Sequence, residues 1–186
     1  MLQIYGAVEV HVSDEWYEVI NISSLLLQHG DLNGCLFGVD NYAGYAPLFP
    51  DRGLPKSCSD TLRARAEQVT DEDSHASWAL WSELKRIDWE EAATRNDQRV
   101  SELAREGDGE RVVTKWLHEP HLQGVRDALD RDPSATVKVG DRKFRRLVLR
   151  RRDCLVDTDF PLVMKLMTCL AERFGDDGVR LTVWFG

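Results

Sequence analysis

Apolar and polar residues alternate at both ends of the chain. Near the amino terminus Leu2, Ile4, Val8, Val10 and Val12 share one face of an extended segment, while Gln3, Glu9 and His11 fall on the other. This period of two predicts a half-buried strand with Glu9 and His11 on its polar side. Ser13, Asp14 and Glu15 interrupt the pattern before Trp16, Tyr17, Val19 and Ile20 resume it, so a hairpin is expected. At the other end Asp176-Asp177-Gly178 turns the chain into Val179, Leu181, Val183 and Phe185, which alternate with Arg180, Thr182 and Trp184.

Between the ends the spacing becomes helical. Residues 21–37 hold leucines among Gly30, Gly34 and Gly38, which should keep any helices there short. Ser57 and Asp60 open a helix through Leu62, Ala66 and Val69, and residues 70–73 break it. From Ser77, the recurrence of Trp78, Trp81, Leu84 and Ile87 predicts a helix over 77–87 with both indoles in the core. A charged helical run is expected over 89–104, with Ala92, Ala93, Val100 and Leu103 as its apolar side, ended by Gly107 and Gly109. Residues 111–130 read as two helical pieces broken at Pro120, and that proline argues against a metal pair of His118 and His121. A further helix is expected over 159–174, with Pro161 in its first turn and Gly175 as its stop.

One internal hairpin stands out. Gly140-Asp141 between Val137-Lys138-Val139 and Arg142-Lys143-Phe144 is a two-residue turn with glycine first. The register sets Val139 against Arg142, Lys138 against Lys143, Val137 against Phe144 and Thr136 against Arg145. These elements predict an α+β fold: a mainly antiparallel sheet, made of the N-terminal hairpin plus the C-terminal strand, covered by the 77–87 and 159–174 helices.

Length and composition fit one globular domain spanning residues 1–186. No apolar run approaches the roughly eighteen residues of a membrane helix, and the amino terminus lacks a signal-peptide pattern, so no membrane partner and a cytoplasmic location are expected. Cys35, Cys58, Cys154 and Cys169 form no CxxC pair and are read as reduced and structural, with no cofactor or metal implied. Net charge is −8, yet residues 142–152 carry seven Lys or Arg and no acid. A basic band on an otherwise acidic chain suits a small phosphorylated ligand and disfavours duplex nucleic acid. Arg150, Arg151 and Arg152 are expected to pair with carboxylates instead.

The loop over residues 40–55 is the other concentration of chemistry. Gly44 and Gly53 permit special backbone angles and Pro47, Pro50 and Pro55 stiffen it. Around it stand Tyr42, Tyr45, Arg52 and, beyond, His75. Unstructured loops of this length are more often functional or well packed than mere connections.

Three segments together resemble a largely uncharacterised family of small accessory proteins encoded by tailed phages and prophages. They are Ile22 to Leu26 followed by Leu32 to Val39, Arg52 to Pro55 followed by Ser74 to Trp78, and the terminal Val179 to Gly186. The resemblance implies a protein that acts in a host cytoplasm on host functions, including defence. It carries over no catalytic residues.

Three functions follow from these features. In the first, a non-enzymatic protein sequesters a nucleotide-like signal, with Lys138, Lys143, Arg145 and Arg52 on its phosphates and Tyr42 and Tyr45 on its base, beside His75. In the second, a hydrolase of such a ligand uses His75 with Asp71 or Asp73. In the third, an acidic inhibitor docks a basic host factor. The sequence leaves homo-oligomerisation open.

Overall fold

A computed structural model describes residues 3–26, 30–69 and 75–186. Leu2, Asp71 and Asp73, assigned above to a strand face and to a hydrolytic site, lie outside the described residues. The protein is α+β, with two antiparallel four-stranded sheets.

The first sheet joins the two ends of the chain. β1 (Ile4–Val12) lies between β2 (Glu15–Asn21) and β8 (Val179–Phe185), and β3 (Ala76–Leu80) closes the order β2-β1-β8-β3. Ile4, Val8 and Val10 stand opposite Phe185, Leu181 and Val179, so the two alternating patterns merge into one apolar face. α5 (Phe160–Phe174) covers that face with Phe160, Val163 and Met167, and α1 (Gly30–Phe37) adds Leu32, Cys35, Leu36 and Phe37. Gly34 sits inside α1 rather than ending it: a Cβ there would come 2.8 Å from the Cα of Asn41, so glycine is what lets the 40–55 loop pack on the helix.

The opposite face of this sheet is covered too, which corrects its assignment as polar. α2 (Asp60–Val69) lays Leu62 and Ala66 against Ala7 and Trp184, and every residue of β8 is buried. Glu9, Arg180 and Thr182 are therefore interior groups that satisfy one another. Val12, placed on the apolar side, is instead 39% exposed because β1 has by then run past its covering helices. His11 is exposed, as expected.

The second sheet comes from the middle of the chain, where helices were expected. β4 (Val100–Glu106) and β5 (Gly109–Trp116) form a hairpin, and β6 (Val137–Val139) with β7 (Arg142–Arg145) forms another, in the order β5-β4-β7-β6. The expected 89–104 helix and the first half of the 111–130 helix are thus strands and loop. α4 (Gln123–Arg131) is the half that holds, and its Val125 and Leu129 pack with Val100, Leu122 and Phe144. The β6–β7 register is as expected: Val139 faces Arg142, Lys138 faces Lys143 and Val137 faces Phe144.

The 77–87 helix is also corrected. Residues 76–80 are β3, and only α3 (Trp81–Leu84) is helical. The period of two wins because Ser77 and Ala79 turn into the buried layer beside β8, while Trp78 on the alternate face stays half exposed. Trp81 is the core indole.

Residues 89–97 and 147–152 run alongside each other, through Ala93 N–H to Leu149 O (2.7 Å) and Asp97 N–H to Leu147 O (2.8 Å). The 40–55 loop is fastened to this strip by Thr94 N–H to Gly44 O (3.0 Å) and Gln98 N–H to Tyr42 O (2.9 Å). Gly44 and Gly53 adopt φ of +76° and +71°, as the loop reading required. No described helix is long and apolar enough to cross a membrane.

Candidate functional site

α4 takes one face of the second sheet, so the side chains that alternate with Phe144, Val137 and Val100 point away from it. Directly opposed residues in neighbouring strands share a face, and the register therefore reads out the rows of the outer side. One row is Lys138, Lys143, Leu103 and Val112; the next is Arg145, Ser101 and Lys115; the row beyond the first pairs Arg105 with Glu110. Five cations and a single strand carboxylate occupy this face.

Charge is unevenly balanced across it. At one end Lys115 Nζ lies 2.6 Å from Asp31 and 3.8 Å from Asp97, and Arg99 lies 2.5 Å from Asp31 and 2.6 Å from Asp97. Two acids there meet two bases. At the hairpin end Lys143 Nζ lies 2.6 Å from Glu110 Oε1 and Arg145 Nη1 3.5 Å from Oε2, with Arg145 Nε donating to Thr136 Oγ1 at 2.5 Å. The Lys143 hydrogen bond holds the Glu110 carboxyl below its usual range, and the charges of Lys143, Arg145 and Lys138 add to the effect. Two cations thus meet one carboxylate, and the charge of a third, Lys138, acts on it. Beneath the Arg145–Lys115 row the buried Ser101 hydroxyl has no hydrogen-bond partner among the described residues.

The rest of the basic band is spent on ion pairs. Arg142 pairs with Glu102, Arg146 with Asp130, Arg150 and Arg152 with Glu90, and Arg151 with Glu91, so the expected pairing of residues 150–152 is found.

The loop candidates sit elsewhere. Arg52 makes a two-pronged pair with Glu83, both bonds 2.8 Å, and its guanidinium lies 4.9 Å from the Phe49 ring and 5.0 Å from that of Trp78. His75 Nδ1 is 2.9 Å from Asp51 Oδ1, at the surface. Both belong to the β3 edge of the first sheet. Tyr45 is in the core, its hydroxyl donating to Arg150 O at 3.0 Å, and burial pushes its phenol far up. It cannot stack on a ligand base without leaving that site. Tyr42 is half-buried beside the 89–97 strip. The structure therefore unites Lys138, Lys143 and Arg145, and sets Arg52, His75 and the tyrosines apart from them.

Sequence reasoning missed Arg105, Glu110 and Lys115, since helices were read on both sides of Gly107 and Gly109, over 89–104 and 111–130. The available signal was Gly107-Asp108, the same dipeptide as Gly140-Asp141, with the same φ of +59° at each glycine. It also missed the cluster in which Arg180 lies 3.9 Å from the Trp16 ring and 6.0 Å from that of Trp78, which Arg52 also meets at 5.0 Å. His118 and Arg126 line a shallow groove of about 450 Å³ with Glu119, Pro120 and Gln123, and His121 packs edge-on to Trp116. Among the described residues no three His, Cys, Asp or Glu side chains cluster as metal ligands. No protein family, curated protein or solved structure matches the chain.

Proposed function

We propose that the protein is a non-enzymatic binder of a small, multiply phosphorylated, nucleotide-like ligand, held on the outer face of the second sheet by Lys138, Lys143 and Arg145. The observation that carries this reading is that Lys143 and Arg145 both pair with Glu110, on which the charge of Lys138 also acts, in a protein whose net charge is −8. Like charges opposed on a strand pair destabilise it, and an anion bridging Lys138 and Lys143 would offset that repulsion. Among the described residues its rows hold charge-assisted donors and no aromatic ring, which favours recognition through phosphate rather than base. In the phage setting implied by the sequence motifs, such a protein would withdraw an immune signal from the host cytoplasm.

The test is calorimetry against cyclic dinucleotides, ADP-ribose and inorganic tripolyphosphate, followed by mass analysis of ligand released by heat. Binding with recovery of intact ligand is expected, and the Lys143→Ala/Arg145→Ala variant should lose about 1.5–3 kcal/mol for each charged contact removed. Chemically altered ligand would make the protein an enzyme. Equal binding by the double variant would move the site off this face, and failure of every probe to bind would turn attention to a protein partner.

A further inference from the structure

Glu110 does not pair with the residue it faces. The register sets it directly opposite Arg105, near the closed end of the β4–β5 hairpin, and opposed side chains on one face of an antiparallel pair lie within reach of each other. Its carboxylate instead crosses β4 to β7, where Oε1 accepts from Lys143 Nζ at 2.6 Å and Oε2 lies 3.5 Å from Arg145 Nη1. Arg105 donates one long hydrogen bond, from Nε to Gly107 O at 3.4 Å, and has no ion pair among the described residues.

The acid next to Arg105 in the chain does not serve it either. Glu106 falls on the opposite face by alternation and pairs with Arg111 at 3.3 Å. Glu110 therefore stands between two cationic partners, the Lys143–Arg145 pair that it bridges on β7 and a single guanidinium across from it on β4. Arg105 and Glu110 are both exposed, and exposed side chains change rotamer within nanoseconds, so the carboxylate can pass from one partner to the other without disturbing the sheet.

We propose that Glu110 has two positions, one bridging Lys143 and Arg145 and one paired with Arg105, and that a phosphate arriving on the face drives it from the first to the second. Bridging two cations favours the first position in the free protein, where Glu110 quiets the face. A phosphate group brings more charge than a carboxylate and more acceptor oxygens, so it takes Lys143 and Arg145 from Glu110. The displaced carboxylate would repel the ligand unless it had a cation of its own, and Arg105 supplies one. Arg105 is thus a positioning residue that acts on the ligand through Glu110. The displacement rests on the phosphate-binding reading above, whereas the two positions stand without it.

The two positions are tested without ligand. In the Lys143→Ala/Arg145→Ala protein the carboxylate has lost its β7 partners and should rest on Arg105. NMR of the Glu110 side-chain carboxyl should then show a titration midpoint that rises when Arg105→Gln is added, while Arg105→Gln in the parent should move it far less. No rise in the double-variant background overturns the second position, whatever the protein binds. The displacement is tested by calorimetry with inorganic tripolyphosphate. Arg105→Gln should weaken binding about threefold in the parent, the scale of one exposed ion pair, and by a clearly smaller factor in the Glu110→Gln protein, which has no carboxylate to receive. Equal weakening in both backgrounds would make Arg105 a direct phosphate contact and overturn the displacement. A parent that does not bind tripolyphosphate overturns it too, by removing the phosphate reading beneath it, and leaves the two positions to the NMR result.

Discussion

Glu9 on β1 and Arg180 on β8 stand directly opposite each other, with Oε2 and Nη2 2.8 Å apart and both side chains almost wholly out of solvent. The Nη2 contact is electrostatic rather than a directed hydrogen bond; Arg180 Nε and Thr182 Oγ1 donate to the same oxygen at 2.9 and 2.7 Å, and Ser59 N–H reaches Oε1 at 3.3 Å. Every partner of the carboxylate is thus internal. Glu9→Gln leaves an uncompensated guanidinium under Trp16 and should cost about 3–5 kcal/mol in urea unfolding. A loss below about 1 kcal/mol would mean that water reaches the pair.

The two tryptophans read from one helical pattern should part company on truncation. Trp81 is 7% exposed in the main cluster, so Trp81→Ala should cost about 3–5 kcal/mol. Trp78 is half exposed on the edge strand β3 and its ring mainly meets Arg52 and Arg180, so Trp78→Ala should cost about 1–2 kcal/mol. Equal losses in thermal unfolding would put Trp78 back in the core.

The Arg52–Glu83 pair gives a pH signature. Hydrogen bonding from Arg52, helped by Leu80 N–H at 3.0 Å, holds the Glu83 carboxyl below the usual 4.5. A carboxyl with a depressed folded pKa contributes stability above its unfolded value and loses it as pH falls through the folded one. Both groups are partly exposed, so the contribution is about 1 kcal/mol. Parent protein should therefore exceed Glu83→Gln in stability at neutral pH, and the gap should close in acid below that value. A gap that persists in strong acid would assign the difference to packing.

How far the sequence reached depended on which local signal agreed with its tertiary surroundings. The terminal strands, α5 and the Gly140-Asp141 hairpin were legible because alternation, turn residues and burial all pointed the same way. The β4–β5 hairpin was not, although Gly107-Asp108 marks it just as clearly. Its strands are rich in Glu, Arg and Lys, residues of good helix propensity, and one of their faces is a charged surface that supplies no apolar alternation. The same cause hid half of the candidate site: Lys138, Lys143 and Arg145 follow from the hairpin register, whereas Glu110, Arg105 and Lys115 require knowing that a second hairpin lies beside it. Glu9 was misplaced for a different reason. Alternation states that two faces differ, but not that the polar one will be covered by α2 and satisfied across the sheet by Arg180.

Glu110 separates a ligand face from a self-neutralised one. If the three cations exist only to balance nearby acids, Glu110 completes the arrangement, and Glu110→Gln merely leaves Lys138 and Lys143 opposed without relief, weakening the hairpin. If the face takes a phosphorylated anion, Glu110 competes with that anion for the same donors, and its removal should tighten binding. The repulsion of one charge acting through solvent is modest, so the dissociation constant for ADP-ribose or tripolyphosphate should fall about threefold. Screening requires this gain to shrink as salt is raised. Glu83→Gln, which removes a carboxylate from α3 beside the other sheet, supplies the control and should leave affinity unchanged. Calorimetry at two salt concentrations reads all three proteins. Tighter, salt-sensitive binding in Glu110→Gln alone supports the cationic face as the site, whereas unchanged or weaker binding there means the carboxylate belongs to a closed network and the ligand, if bound, is held elsewhere.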